Sequence, residues 1–271
     1  MGAAVRRAPA RRAAGPLLYR ITELDDDRLL LWMEDVDAIA DAEWTLDHYR
    51  RAATALGGLA ARRSTPELLA GAGEPGWALR MLVGNRVMRG SVPALADDRI
   101  WAHPLVVSTV DARLRDDLRR IAAALPEIMD RLDALPQALA HGDASPQNLL
   151  APRGEPGTFV AIDVAFQCPL AIGFDLGQLL VGLAHAGHVA AAALPAIHDV
   201  LVPAYLEGMR AHGVDADPDA VAYGYVGGWP PAPPSPRCRT RPWAPRRPSS
   251  SPPCGGSAPR SPGSSPTSAS P

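Results

Sequence analysis

His141-Gly142-Asp143-Ala144-Ser145-Pro146-Gln147-Asn148, then Ile162-Asp163, then Asp175-Leu176-Gly177: the reading of this chain turns on these short stretches. Between the first two lie Leu149-Leu150, the Gly/Pro-rich run Ala151 to Gly157, and the apolar run Thr158 to Ile162. Two apolar runs joined by such a turn read as a β-hairpin. That hairpin would set Asn148 and Asp163 on neighbouring strands, with Asp143 just upstream. Carboxylate and amide oxygens brought together are the hard donors that Mg2+ takes. Alone, Asp143 would be an ordinary Asx-turn residue. Its spacing to Asn148, Asp163 and Asp175 is what points to chemistry.

The D-x-x-x-x-N spacing with a later Asp is the one used for phosphoryl transfer. There one carboxylate takes the acceptor hydroxyl's proton and the other groups hold metal. Such a transfer asks little covalent work of the protein, so positioning and charge stabilisation dominate. Outward from this segment, Pro16 to Ile21 and Arg28 to Val36 read as two strands about a polar turn at Glu23 to Asp27. From about Thr45 the period becomes helical, with Leu46, Tyr49, Ala53, Leu56 and Ala60 on one face and Asp41 or Thr45 as cap. Residues 66–109 are mixed. Asp111 starts a long amphipathic helix through Leu118, Leu125 and Leu132, and helical patterns return over 175–187, 195–212 and 217–226. No internal repeat is present.

The composition excludes several mechanisms. Lysine is absent, so all 27 basic Lys+Arg residues are Arg. That removes a Walker A loop, a pyridoxal Schiff base and any lysine nucleophile. A formal net charge of −2 gives no nucleic-acid footprint. Cys168, Cys238 and Cys254 lack CxxC spacing, so neither a zinc ribbon nor a disulfide framework is expected, and a reducing, cytoplasmic setting is. The most apolar stretch, Leu179 to Ile197, carries His185, His188 and Pro195 and reads as a buried helix, with no membrane span.

The two ends differ from the middle. Residues 229–271 hold 14 of the 29 Pro and six of the 27 Arg, and none of the 29 acidic residues. Without a hydrophobic period this tail is expected to be disordered. Two origins suit it: out-of-frame translation of a GC-rich gene, or a Pro-rich ligand for adaptor domains. Residues 1–15, Arg-rich and free of acids, are expected to be a disordered start rather than a transit peptide.

The motifs resemble those of the aminoglycoside phosphotransferase and choline kinase family, small-molecule kinases with a protein-kinase-like fold. H-G-D-x-x-x-x-N stands at His141 to Asn148, I-D at Ile162-Asp163, and D-L-[AG] at Asp175 to Gly177. RLLLWMEDV at 28–36 is similar to the family's hinge strand. The resemblance covers roughly residues 17–228. It implies an α+β fold: a mostly helical large lobe at 37–228 and a remnant of the small-lobe sheet, with the hinge, at 16–36. It also implies ATP-dependent transfer to a hydroxyl of a small molecule, aminoglycoside- or choline-kinase-like, with ATP and Mg2+ as cofactors. Asp143 would be the catalytic base, Asn148 and Asp163 the magnesium ligands, and the backbone of Met33, Glu34 and Asp35 the adenine site. His141 would orient the loop, Gly142 would give its backbone freedom, and Asp175 would brace it.

The family pattern is incomplete. Few residues precede Arg28, so a glycine-rich flap, a phosphate-binding Lys and its partner Glu helix are expected to be missing from a truncated small lobe. After Gly228 the Pro-rich tail stands where further helices belong. Two classes stay open: a small-molecule kinase, nearly inactive as this chain, and a non-catalytic remnant or binding module of a degraded kinase gene. A two-metal phosphatase suits the sequence less, because its His residues are scattered. GAGEPG at 71–76 matches a phosphate-loop pattern only formally: it follows a helical segment, Pro75 has no amide donor and no helix is expected to open at Gly76. His185 and His188 share a helix face but show no acidic or Cys partner, so no metal site is expected there. The acceptor is not legible. Cationic acceptors would favour an acidic pocket, and substrate choice is expected to lie within 180–228.

Overall fold

The computed structural model describes residues 13–24, 28–155 and 157–227. All of them belong to one unit, Met1–Pro236. The expected disordered tail at 229–271 lies outside the described residues, as do residues 1–12 of the expected disordered start. The remainder of that start is different: β1 (Ala13–Ala14) pairs in parallel with Phe159 and Val160.

The two strands expected over 16–36 are present. β2 (Leu18–Glu23) and β3 (Leu29–Met33) form an antiparallel pair registered from Leu18↔Met33 to Glu23↔Leu29. Leu24 N–H closes the turn on the Arg28 carbonyl at 2.9 Å. The large apolar residues on both faces of this hairpin are exposed, from Leu30 at 42% to Tyr19 at 67%. The chain then runs along the later hairpin of residues 149–161, Ile39 N–H donating to the Ala151 carbonyl and Arg153 N–H to that of Asp37, both at 2.9 Å.

α1 (Leu46–Arg62) is capped at Thr45, whose N–H donates to His48 Nδ1 at 3.0 Å; Asp41 instead opens a short 3-10 turn. The mixed region 66–109 is nearly all helix: α2 (Pro66–Ala70), α3 (Trp77–Leu82), a wide turn at Val83–Ser91, α4 (Val92–Ala96), α5 (Asp98–Trp101) and α6 (Pro104–Thr109). Pro66 and Pro104 sit in the first turns of α2 and α6, where no amide donor is needed, while Pro93 follows the wide turn with no break in the helical run. A helix does open after Gly76, contrary to expectation, with Gly76 as its cap at φ 71°. The Gly76 amide still cannot serve a phosphate, because it donates to the Pro169 carbonyl at 2.8 Å.

α7 (Ala112–Asp133) starts as read, the Asp111 carboxylate accepting from Leu114 N–H at 2.7 Å. β4 (Gln137–Ala140) follows. β5 (Leu149–Leu150) and β6 (Phe159–Ala161) form a hairpin, and β7 (Cys168–Ala171) pairs antiparallel with β4. α8 (Asp175–His185), α9 (Leu194–Arg210) and α10 (Pro218–Gly227) complete the mostly helical α+β architecture.

The core explains the order. α1 lies against α9 so closely that a Cβ on Gly57 or Gly208 would come within 2.0 Å of backbone oxygen. α8 is buried around most of its surface, Leu176, Leu179 and Leu183 joining Tyr49, Leu201 and Met209. A second apolar cluster joins α3, α7, β4 and β7 through Leu79, Leu125, Leu132, Cys168 and Leu170. Burial raises the Cys168 thiol pKa, as fits a packing residue. Among the described residues, no helix is long and apolar enough to cross a membrane.

Candidate active site

β4 delivers the chain to His141, and the turn after β7 delivers it to Asp175. The two meet. Asp175 Oδ2 accepts from His141 N–H and Oδ1 from Gly142 N–H, both at 2.9 Å. Asp175 is buried at the start of α8, and burial raises its pKa against the pull of His141 and the two amides. Gly142 has φ 86°, and a Cβ there would lie 2.3 Å from the Phe166 carbonyl oxygen, so only glycine fits.

His141 is also buried, and its ring spans two segments. Nε2 lies 2.9 Å from the Ile162 carbonyl and Nδ1 accepts from Asp143 N–H at 3.3 Å. One tautomer, protonated on Nε2, satisfies both bonds. Ile162 N–H in turn donates to the Asn148 carbonyl at 3.0 Å. The ring therefore holds the exit of the hairpin against the 141–148 loop.

Asn148 Nδ2 donates to the Asp143 carbonyl at 2.9 Å, which fixes the amide and leaves its oxygen as an available donor atom. Asp163 has φ 54° and ψ 59°, the lone non-glycine residue with positive φ among the described residues. Such a conformation is held only where its surroundings impose it, and functional sites are common places for it. Asp143 is half-buried. Desolvation raises its pKa first, with Asp163 and Asp175 adding to the rise, while His141 and the Asn148 amide oppose it.

Asp143, Asn148, Asp163, His141, Gly142 and Asp175 are thus brought together. A fixed amide oxygen and a carboxylate on a constrained backbone suit Mg2+, which keeps water and phosphate oxygens for its other positions. Accordingly, no group of three or more His, Cys, Asp or Glu gathers around a metal position among the described residues. His188 does have an acidic neighbour, the Asp41 carboxylate at 3.6 Å, contrary to expectation.

Met33, Glu34 and Asp35 lie at the end of the exposed hairpin. Glu34 is committed to Leu17: its N–H donates to the Leu17 carbonyl at 2.8 Å and its carboxylate accepts Leu17 N–H at 3.0 Å. Its amide is therefore unavailable to a base. Arg153, just past β5, pairs with Glu43 at 2.9 Å and with Asp37 at 3.5 Å, tying the segment after Asp35 to the β5–β6 hairpin.

Next to Asp143 a cavity of about 340 Å³ opens, lined also by Asn85, Arg86 and Gln178. The sequence reading missed these three. Gln178 carried a signal, one helical turn beyond Asp175. Asn85 and Arg86 carried none, because they lie in the wide helical turn within the unassigned stretch.

No family model matches the chain, and no curated protein matches it. Three solved structures are similar to it. An aminoglycoside-3'-phosphotransferase of type VIII is 21% identical, covering 79% of this chain and 73% of its own, at a TM-score of 0.42. A microcompartment-associated aminopropanol kinase is 18% identical, covering 80% and 74%, at 0.44. A Plasmodium vivax ethanolamine kinase is 15% identical, covering 80% and 66%, at 0.40.

Proposed function

We propose that this chain is a small-molecule kinase of the aminoglycoside phosphotransferase and choline kinase type, transferring a phosphoryl group from ATP to a hydroxyl. The observation that carries this reading is the convergence of Asp143, Asn148 and Asp163, held by His141 and Asp175. In it, Asp143 takes the acceptor's hydroxyl proton, and its raised pKa makes it a better base than an ordinary carboxylate. Asn148 and Asp163 would hold Mg2+. The bound ion supplies neutralisation of charge developing on the transferred phosphoryl group. Adenine would lie against the backbone at Met33 and Asp35, the Glu34 amide being committed elsewhere. His141, Gly142 and Asp175 position and do not react. The acceptor is a small hydroxyl compound, and the setting is cytoplasmic, where ATP is supplied.

With no lysine to clamp phosphates, turnover is expected to fall well below the about 1–100 s⁻¹ of kinases. That absence also favours the second reading, a non-catalytic binding module. Purified chain incubated with labelled Mg-ATP and a panel of hydroxyl compounds separates the two. The kinase reading expects slow transfer that Asp143→Asn abolishes. Transfer no faster than in Asp143→Asn for every compound leaves the binding module.

A further inference from the structure

More than half of the exposed large apolar side chains among the described residues lie between Leu17 and Met33. They are not spread evenly over the β2–β3 hairpin. The register sets Leu18 opposite Met33, Ile21 opposite Leu31 and Glu23 opposite Leu29. Residues directly opposite share a face, and successive residues alternate between faces. One face therefore carries Leu18, Ile21, Leu29, Leu31 and Met33, with Glu23 at the turn end as its one charged residue. The other sets Arg20 against Trp32 and Thr22 against Leu30, a mixed surface. The five apolar side chains of the first face are between 48% and 61% exposed.

The chain outside the described residues is a poor match for such a face. Residues 1–12 and 228–271 hold Met1, Val5, Trp229 and Trp243 as their large apolar residues, set among Arg and Pro. A second copy of the chain matches it, because it presents the same five side chains in the same array, as an isologous interface requires. The area is also of the right size. Half-exposed side chains of this kind offer on the order of 100 Å² each, hence about 500 Å² per copy and about 1,000 Å² for a pair, the size of a weak, reversible interface. Charge sets the direction. With the two hairpins antiparallel, the two Glu23 carboxylates stand at opposite ends; with the hairpins parallel they would meet as like charges.

We propose that this face binds a second copy of the chain, the two hairpins packing face to face and antiparallel about a two-fold axis near Ile21 and Leu31. Sheets packed in this way keep their strands nearly aligned and bury the two inner faces against each other. Leu30 and Trp32, on the outer faces, stay in water.

Sedimentation velocity of the full chain over a concentration series tests this. A reversible monomer–dimer equilibrium in the micromolar range is expected. Ile21→Glu and Leu31→Glu should each leave the chain monomeric throughout the series, with far-ultraviolet dichroism unchanged. Leu30→Glu, on the outer face, should dimerise as the wild type does. Glu23→Leu, which removes the one charge from the inner face, should tighten association about tenfold. Because that variant reports a gain, it decides the matter even where Leu31→Glu fails to fold. A wild-type chain that stays monomeric overturns the proposal, as does a dimer that survives Leu31→Glu or one lost equally in Leu30→Glu. Association no tighter in Glu23→Leu than in the wild type overturns it too.

Discussion

Asp143 is held in a setting that disfavours its own charge. Half-burial raises its pKa, and the carboxylates of Asp163 and Asp175 raise it further. A carboxyl whose folded pKa lies above its unfolded value stabilises the fold while protonated, and that contribution is lost as pH rises through the folded pKa. At neutral pH the ionised form thus destabilises the fold. Asp143→Asn is expected to abolish transfer yet raise thermal stability near pH 7. Water reaches part of the side chain, so the gain is at most about 1 kcal/mol, or roughly 2–4 °C. The advantage should shrink as pH falls through the folded pKa, because the wild type is then protonated as well. Paired melting curves at several pH values check the sign. At this scale the family resemblance implied a bracing role for Asp175, and its carboxylate accepts from His141 and Gly142 N–H. The sequence was silent on the left-handed backbone of Asp163, a conformation Asp tolerates better than most residues but that residue type alone does not assign.

Between elements, small residues decide how near two backbones come. Gly208→Ala would put a Cβ 2.0 Å from the Thr54 carbonyl oxygen, so α9 must move away from α1. The expected cost is about 3 kcal/mol. Gly84→Ala is the control: nothing lies within 4 Å of its Cβ position, and the substitution should be neutral or stabilise by about 0.5–1 kcal/mol. Urea unfolding of the two variants measures the contrast. Helices of many turns, such as α1, α7 and α9, were legible because their apolar period repeats often enough to be seen. The helices of 66–109 are either four to six residues long or, over 77–96, interrupted by a wide turn that changes the period, so no single period emerges. β4 and β7 were hidden for another reason. They are four-residue runs, and Pro169 within β7 argues against a strand unless it lies at an edge, as it does in this two-stranded pair.

Across the molecule, apolar surface is unevenly covered. Leu29 to Met33 is a continuous apolar run, a pattern suited to a strand covered on both faces. Among the described residues it is covered on neither, and Leu29 and Trp32 are 61% and 54% exposed. Contiguous apolar surface of this kind is uncommon on a free monomer. An environment-sensitive apolar dye is expected to bind the chain strongly. Replacing Leu30 and Trp32 together with Glu should reduce that binding while far-ultraviolet dichroism stays the same. Unchanged dye binding would place the exposed surface elsewhere.

The cross-brace at His141 bears on the order in which the molecule assembles. Its bonds span 21 residues to Ile162, and those of Asp175 span 34 to His141. The seam between α1 and α9 closes over a far longer loop, with 150 residues between Arg62 and His212, which pair across it. Closing that longer loop costs about 1.3 kcal/mol more in chain entropy than closing the one at Asp175. The proposed active site is therefore a local structure, written into one short contiguous segment. The helical seam around it depends on contacts between distant parts of the chain and is the slower part to find.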